Sequence, residues 1–280
     1  MSDRPLTPLD GVILYDKPAG VTSHDVVARV RRALPRKTRV GHAGTLDPFA
    51  TGLLLVLVGR GTRAQRFLMG LEKRYETVAR FGAVSSTGDS DGEISETGVV
   101  PQGELTLPTG TVRQRPPAYS ALRVDGERAY ARARRGEQVE LPEREVQVHE
   151  FRQLWHDGDR RAFAIRCSSG TYVRSLVADL GDAYCQELRR TAIGPFDVAD
   201  ADPERIVPLA RALAFLPERR LSGEEARRAR HGVAVADRDP AAHGGRFTRL
   251  TDDEGLIAIA EPRPGPGGAP VLKPVVGLRG

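Results

Sequence analysis

Gly41-His42-Ala43-Gly44-Thr45-Leu46-Asp47-Pro48-Phe49-Ala50-Thr51-Gly52 runs directly into the apolar stretch Leu53-Leu54-Leu55-Val56-Leu57-Val58. Six consecutive Leu and Val residues after a Gly-rich segment read as a buried strand. The twelve residues before it hold three glycines and one proline, which fix an unusual backbone path. Asp47 stands before Pro48, where extended geometry is favoured. A stiff loop that holds one carboxylate suits a nucleophile or a base whose position matters. The same residues also suit a structural turn in which Asp47 caps nearby amides, and on their own they leave both readings open. A phosphate loop is disfavoured, because the Gly-Lys-Ser/Thr ending is missing.

Upstream, Gly11 to Tyr15 reads as a strand closed by the turn residues Asp16-Lys17-Pro18-Ala19-Gly20. Ser23 is the expected cap of a helix reaching about Leu34. In it Val26, Val27, Val30 and Leu34 share a face and Arg29, Arg31 and Arg32 lie off it. Pro35 ends that helix, and Arg36 to Gly52 reads as irregular. Downstream, Ala64, Phe67, Leu68 and Leu71 give a short helix and Lys73 to Phe81 a strand. Ser85 to Glu104 carries five acids and no base, and reads as a loop. Val124-Asp125-Gly126-Glu127 is a turn signal. Arg144 to Trp155 and Ala162 to Cys167 form a hairpin about Asp157-Gly158-Asp159, and Tyr172 to about Tyr184 a helix. Strands outnumber helices, so the fold class is α+β with a mixed, largely antiparallel sheet and flanking helices. After Pro217 the character changes. Ser222 and Glu225 form a capping-box pattern for a helix to His231, and strand-like runs follow at 246–250, 256–260 and 271–276. The domain reading is therefore 1–218 and a small β-rich unit at 219–280.

Over 280 residues, 42 Lys+Arg against 37 Asp+Glu give a net charge of +5, and 40% of residues are hydrophobic. A sizeable core follows, and disorder is disfavoured. No apolar run nears the roughly 20 residues of a bilayer span, and Met1-Ser2-Asp3-Arg4 does not open like a secretion signal. The chain reads as soluble and cytoplasmic. Only Cys167 and Cys185 are present, which supports neither a disulfide framework nor a Cys-based zinc site. Lys occurs only at 17, 37, 73 and 273, so 38 of the basic residues are Arg, and Asn is absent. Source composition or phosphate binding would each account for that bias.

The Asp47 segment, preceded by Gly11-Val12-Ile13-Leu14-Tyr15-Asp16-Lys17-Pro18-Ala19-Gly20-Val21-Thr22-Ser23-His24-Asp25 and followed by Lys73-Arg74-Tyr75-Glu76 and Cys167-Ser168-Ser169-Gly170-Thr171-Tyr172-Val173-Arg174, resembles the TruB family of tRNA pseudouridine synthases over roughly residues 10 to 200. The resemblance implies a pseudouridine-synthase-like fold with a small PUA-like RNA-binding domain at the C-terminus. It implies isomerisation of uridine 55 in the T-loop of tRNA, with the T-arm and elbow as partner. No cofactor, metal, membrane or obligate protein partner is implied, and a monomer is expected. By resemblance Asp47 is the catalytic aspartate and Arg174 its partner, a pairing that would lower the Asp pKa. Tyr75 stacks on the target base, and Asp89 is a second acid that requires Arg174 between the two carboxylates. By the same resemblance Tyr172 and Leu188 line the substrate pocket, His42 contacts the displaced nucleotides, and Lys17 supports the loop. The chain departs from the family pattern in a shorter segment between Asp179-Leu180-Gly181 and Leu188-Arg189-Arg190. Two basic sets suit phosphate contact: Arg31, Arg32 and Arg36 with their neighbours from Arg29 to Arg39, and Arg132 with Arg123, Arg128, Arg134, Arg135 and the interleaved Tyr130.

Overall fold

Strand Thr51–Val58 divides its side chains between two cores. Leu53, Leu55 and Leu57 join Val12, Phe67 and Leu68 in one cluster, while Leu54, Val56 and Val58 join Ile13, Val26 and Val30 in another. Alternation at period two places every second residue on one face, so a strand covered on both faces must be apolar throughout. Each Leu or Val buried this way contributes about 1.5–3 kcal/mol, which makes this strand a rigid end point for the loop that enters it. The computed structural model describes residues 9–120, 122–124, 126–244 and 246–279. Asp125 of the expected turn and the first eight residues lie outside the described residues; the flanking Arg123–Val124 and Glu127–Arg128 do pair as a short hairpin.

Around this strand runs a sheet that comprises ten strands among the described residues. Thr51–Val58 pairs antiparallel with Gly11–Lys17 on one side. On the other side it meets Ala183–Ile193 in parallel, at Arg189 opposite Thr51 and Arg190 opposite Gly52. Ala183–Ile193 pairs antiparallel with Lys73–Phe81, which pairs with Arg160–Cys167, then Arg144–Asp157, then Gly110–Gln114. The sheet is therefore mixed and largely antiparallel, and the 144–157 and 160–167 hairpin forms as its sequence pattern requires. Its one parallel pairing sets the end of the loop before Thr51 beside Arg189 and Arg190.

Several local expectations are corrected. The helix expected over 172–184 covers only Val173–Ala178. Gly181 at φ 133 turns the chain, and Ala183, Tyr184 and Cys185 are buried by pairing with Phe81, Arg80 and Ala79. Sheet pairing and burial outweigh the helical propensity of an Ala- and Leu-containing segment. The segment from Arg36 to Gly52 contains the short strand Val40–His42. The acidic stretch 85–104 opens with a small hairpin, Ala83–Ser85 against Ile94–Glu96. It is pinned by buried Arg161, which donates to the carbonyls of Gly103 at 2.8 Å and Pro101 at 2.6 Å.

Two caps also differ from expectation. The helix Ser23–Ala33 is capped by Thr22, whose side chain accepts from Asp25 N while Asp25 reaches back to Thr22 N, a complete capping box. At Ser222, before the helix Gly223–Arg230, no side-chain cap bond forms; its hydroxyl donates to Glu225 Oε2 at 3.4 Å instead. A five-stranded sheet follows from Glu218, in the order Glu218–Arg220, Thr248–Asp252, Gly255–Pro264, Pro270–Gly277, Val235–Ala236. The three strand-like runs of the tail all belong to it. Ile259 and Leu278 reach into the cluster under the main sheet, and Arg60 and Arg63 donate to the carbonyls of Leu278 and Gly277. By these cap assignments, Thr22→Ala costs about 1 kcal/mol of unfolding free energy and Ser222→Ala only a few tenths, a contrast that urea unfolding of the two variants measures.

Candidate active site

The loop before the central strand is held at almost every residue. Ala43 N donates to Leu55 O at 2.9 Å, and Gly44 and Gly52 adopt φ of 97° and 103°. At Gly52 a Cβ would fall 2.2 Å from the carbonyl oxygen of Arg190, so only glycine lets the two strands meet there. The buried Arg190 side chain returns to the loop, with Nε donating to Leu53 O at 2.7 Å, Nη2 to Gly44 O at 3.1 Å and Nη1 to Thr45 O at 3.4 Å. Lys17 Nζ donates to the carbonyls of Val21 at 2.8 Å, Pro18 at 2.9 Å and Pro48 at 3.2 Å. Lys17 is fully buried, and burial lowers its pKa to about 8.

At the tip of this loop Asp47 meets a charge network. Arg174 is 3% exposed and stands between two carboxylates, with Nε 3.0 Å from Asp47 Oδ2 and Nη1 3.1 Å from Asp89 Oδ2. Its remaining donors reach Thr87 O at 2.6 Å and Tyr119 O at 2.7 Å. Asp89 is buried and accepts from Thr87 Oγ1 at 2.5 Å and from Asp91 N at 3.1 Å. The Nε contact to Asp47 lacks the alignment of a hydrogen bond. Charge therefore holds Asp47, and 29% of its side chain stays open. Pairing with Arg174 alone would depress its pKa. The structure reverses that expectation: burial is the largest influence and raises the Asp47 pKa, Arg174 opposes it, and the charge of Asp89 adds to the rise. A carboxylate so placed is a stronger base than a solvated one.

Tyr75 lies in Lys73–Phe81 with Arg190 and Ile165 as its cross-strand partners. It packs on a cluster that includes Leu46, Ala50 and Leu188, and burial raises its phenol pKa. Leu188 is thus beside Tyr75 despite the shortened segment before it. Tyr172 directly precedes the Arg174 helix. Its backbone N–H donates to Gln114 Oε1 at 2.7 Å, and its carbonyl oxygen accepts from Gln114 Nε2 at 2.8 Å. The Arg144 guanidinium lies 4.9 Å from its ring centre. His42 stands edge-on to His24 at 5.5 Å, and burial holds its pKa down to about 4, so it is neutral at physiological pH. Arg31 and Arg32 are exposed in the last turn of their helix and Arg36 in the turn just beyond it, though Arg31 Nη2 also donates to Val40 O. Arg132 is half-buried and ion-paired with Glu137 at 2.7 Å, so part of the second basic set is already neutralised.

The structure thus brings Asp47, Asp89 and Arg174 into direct contact, and sets Tyr75, Leu188 and Lys17 against the loop that carries Asp47. Gln114 and Arg190 also hold this site without a local signal in the sequence, and Ser23, expected as a helix cap, holds it too. A concavity of about 490 Å³ lined by Leu14, Phe196, Arg205 and Phe215 contains none of these residues. Among the described residues no group of three or more His, Cys, Asp or Glu side chains is placed to hold a metal ion, and no helix is long and apolar enough to cross a membrane.

Residues 31–173 match the family model described as the N-terminal domain of the TruB family pseudouridylate synthases. The chain belongs to the TruB family. It is 45% identical to a tRNA pseudouridine synthase B of Thermobifida fusca, over 91% of this chain and 96% of the relative. To the protein of the same name in Leifsonia xyli subsp. xyli it is 43% identical, over 79% and 82%. Among solved structures its fold is similar to that in the archaeal box H/ACA sRNP Nop10–Cbf5 complex, at TM-score 0.68 and 22% identity, covering 99% of this chain and 89% of that one. A Cbf5–Nop10–Gar1 complex gives 0.63 and 24%, covering 90% and 78%. At that identity the likeness shows a shared fold. In this TruB site the guanidinium is the balancing charge. Arg174→Met therefore costs about 3–5 kcal/mol near neutral pH. The deficit shrinks as pH falls and Asp47 takes up a proton, as unfolding measured across pH would report.

Proposed function

We infer that this chain is a tRNA pseudouridine synthase that converts uridine 55 in the T-loop to pseudouridine, with Asp47 as the reacting carboxylate. The observation that carries the reading is the partly open Asp47 carboxylate steadied by a buried Arg174 that a second acid also holds. In the reaction the N1–C1′ bond breaks, the uracil turns, and C5 bonds to the same C1′. The proton lost from C5 is matched by one gained at N1. Product and substrate are isomers, so the step is redox-neutral and needs no energy carrier. Three roles for the carboxylate fit that balance, namely addition to C1′, addition to the base, and removal of a 2′ proton. All three require its ionised form and gain from its raised basicity.

Tyr75 supplies the aromatic face for the everted base. Unstacking a uridine costs a few kcal/mol, which stacking offsets by about 1–3 kcal/mol. Leu188 forms the apolar wall behind the base. His42, neutral at working pH, offers hydrogen bonds without adding charge, and Tyr172 closes the pocket at the start of the Arg174 helix. Arg31 and Arg32, exposed on one helix end, Arg36 just beyond it, and Arg132 contact the phosphates and set the register of the T-arm, leaving sequence to be read at the flipped nucleotide. Residues 1–218 form the catalytic domain and 219–280 the PUA-like unit against the tRNA. The enzyme works as a cytoplasmic monomer. Asp47→Asn abolishes turnover of an unmodified tRNA transcript while tRNA affinity stays within about threefold, because an isosteric amide leaves the phosphate contacts unchanged. Assaying pseudouridine together with released uracil distinguishes isomerisation from hydrolysis, and turnover by the variant comparable to wild type would contradict the assignment.

A further inference from the structure

The backbone on both sides of Asp47 is tied to one short segment. After it, Pro48 O accepts from Gly20 N at 2.9 Å and from Lys17 Nζ at 3.2 Å. Before it, Ser23 Oγ accepts from Leu46 N at 2.9 Å and donates to Leu46 O at 3.2 Å. Ser23 is 1% exposed. It is the first residue of its helix, a place where a hydroxyl ordinarily serves the helix end. Here Thr22 and Asp25 already form the cap, so the Ser23 hydroxyl is spent on the loop 23 residues away.

The geometry has a specific consequence. Leu46 N and Leu46 O belong to successive peptide units, and the second unit ends at Asp47 N. A hydroxyl is both donor and acceptor, so one side chain fixes the orientation of both units and with them the direction in which the Asp47 Cα–Cβ bond leaves the backbone. The Asp47 carboxylate is paired with Arg174 at 3.0 Å through a contact that lacks the alignment of a hydrogen bond, so the pair fixes its distance more than its angle. Aim must therefore come from the backbone.

We propose that Ser23 is a positioning residue for the reaction, holding the peptide units on either side of Leu46 so that the Asp47 carboxylate stays at its reactive angle. The proposal rests on Asp47 being the reacting group. Ser23→Ala removes both bonds, and Ser23→Cys keeps the volume nearly unchanged while replacing a strong hydrogen-bonding group by a weak one. Thr22→Ala weakens the same helix without touching the loop, and Asp47→Asn reports on the catalytic reading itself.

The test measures single-turnover rate at saturating enzyme, tRNA affinity and thermal unfolding for all four variants on an unmodified tRNA transcript. Misplacing a reacting group by a fraction of an ångström costs on the order of 10- to 100-fold. Ser23→Ala and Ser23→Cys are expected to lose rate on that scale with tRNA affinity unchanged, while Thr22→Ala turns over at the wild-type rate. Should Ser23→Ala not fold, Ser23→Cys carries the test. A Ser23→Cys enzyme at the wild-type rate would show that shape alone suffices, and a Thr22→Ala enzyme as slow as the Ser23 variants would show general loosening; either overturns the proposal. An active Asp47→Asn enzyme would instead remove the catalytic reading on which it stands.

Discussion

One guanidinium facing two carboxylates sets the terms for everything around it. Arg174 is almost wholly buried, and its charge would be costly there without Asp47 and Asp89. The two acids would in turn repel each other without it. Each of the three comes from a different part of the chain: a Gly-rich loop, the acidic loop that joins the strands Ala83–Ser85 and Ile94–Glu96, and the helix Val173–Ala178. The fold must therefore deliver three segments to one point, and the sheet does so. The strands flanking these segments are neighbours, and their apolar faces hold them in register.

The network explains an apparent conflict in the electrostatics. An aspartate beside an arginine is usually acidified, yet burial and the second carboxylate push Asp47 the other way. The result is a carboxylate that is held in place by a cation but keeps the basicity that reaction at a sugar or a base demands. Its open face and its poorly aligned contact with Arg174 leave it able to engage a substrate, while the loop backbone supplies the orientation. Lys17 and Arg190 serve that backbone by binding carbonyl oxygens rather than acids.

Much of this was legible in the sequence, for physical reasons that differ by element. Thr51–Val58 and the hairpin 144–167 were legible because period and turn chemistry are local. For Asp47 the Gly- and Pro-rich loop is a local signal that leaves a structural turn open, whereas Arg174, Tyr75 and Asp89 come from the resemblance alone, since nothing local distinguishes a buried Arg from a solvated one on a helix. Ser23 was misread as a cap because Thr22 beside it has the same chemistry, and only the long-range contact to Leu46 separates the two. The helix expected to Tyr184 stops at Ala178 because pairing with Lys73–Phe81 is stronger than local propensity. Arg190 and Leu53 are 137 residues apart in the chain, and Gln114 and Tyr172 are 58 apart. Contacts of that range leave no local pattern.

The most direct test of the central claim is the pH dependence of the single-turnover rate. Asp47 must be ionised to react, so the rate should fall on the acid side as pH drops through its pKa. Because burial and Asp89 raise that pKa, the midpoint should lie above the ordinary aspartate value of about 3.9. It should move downward in Asp89→Asn, where the second negative charge is gone. A rate that stays level to below pH 4, or a midpoint indifferent to Asp89, would contradict the account.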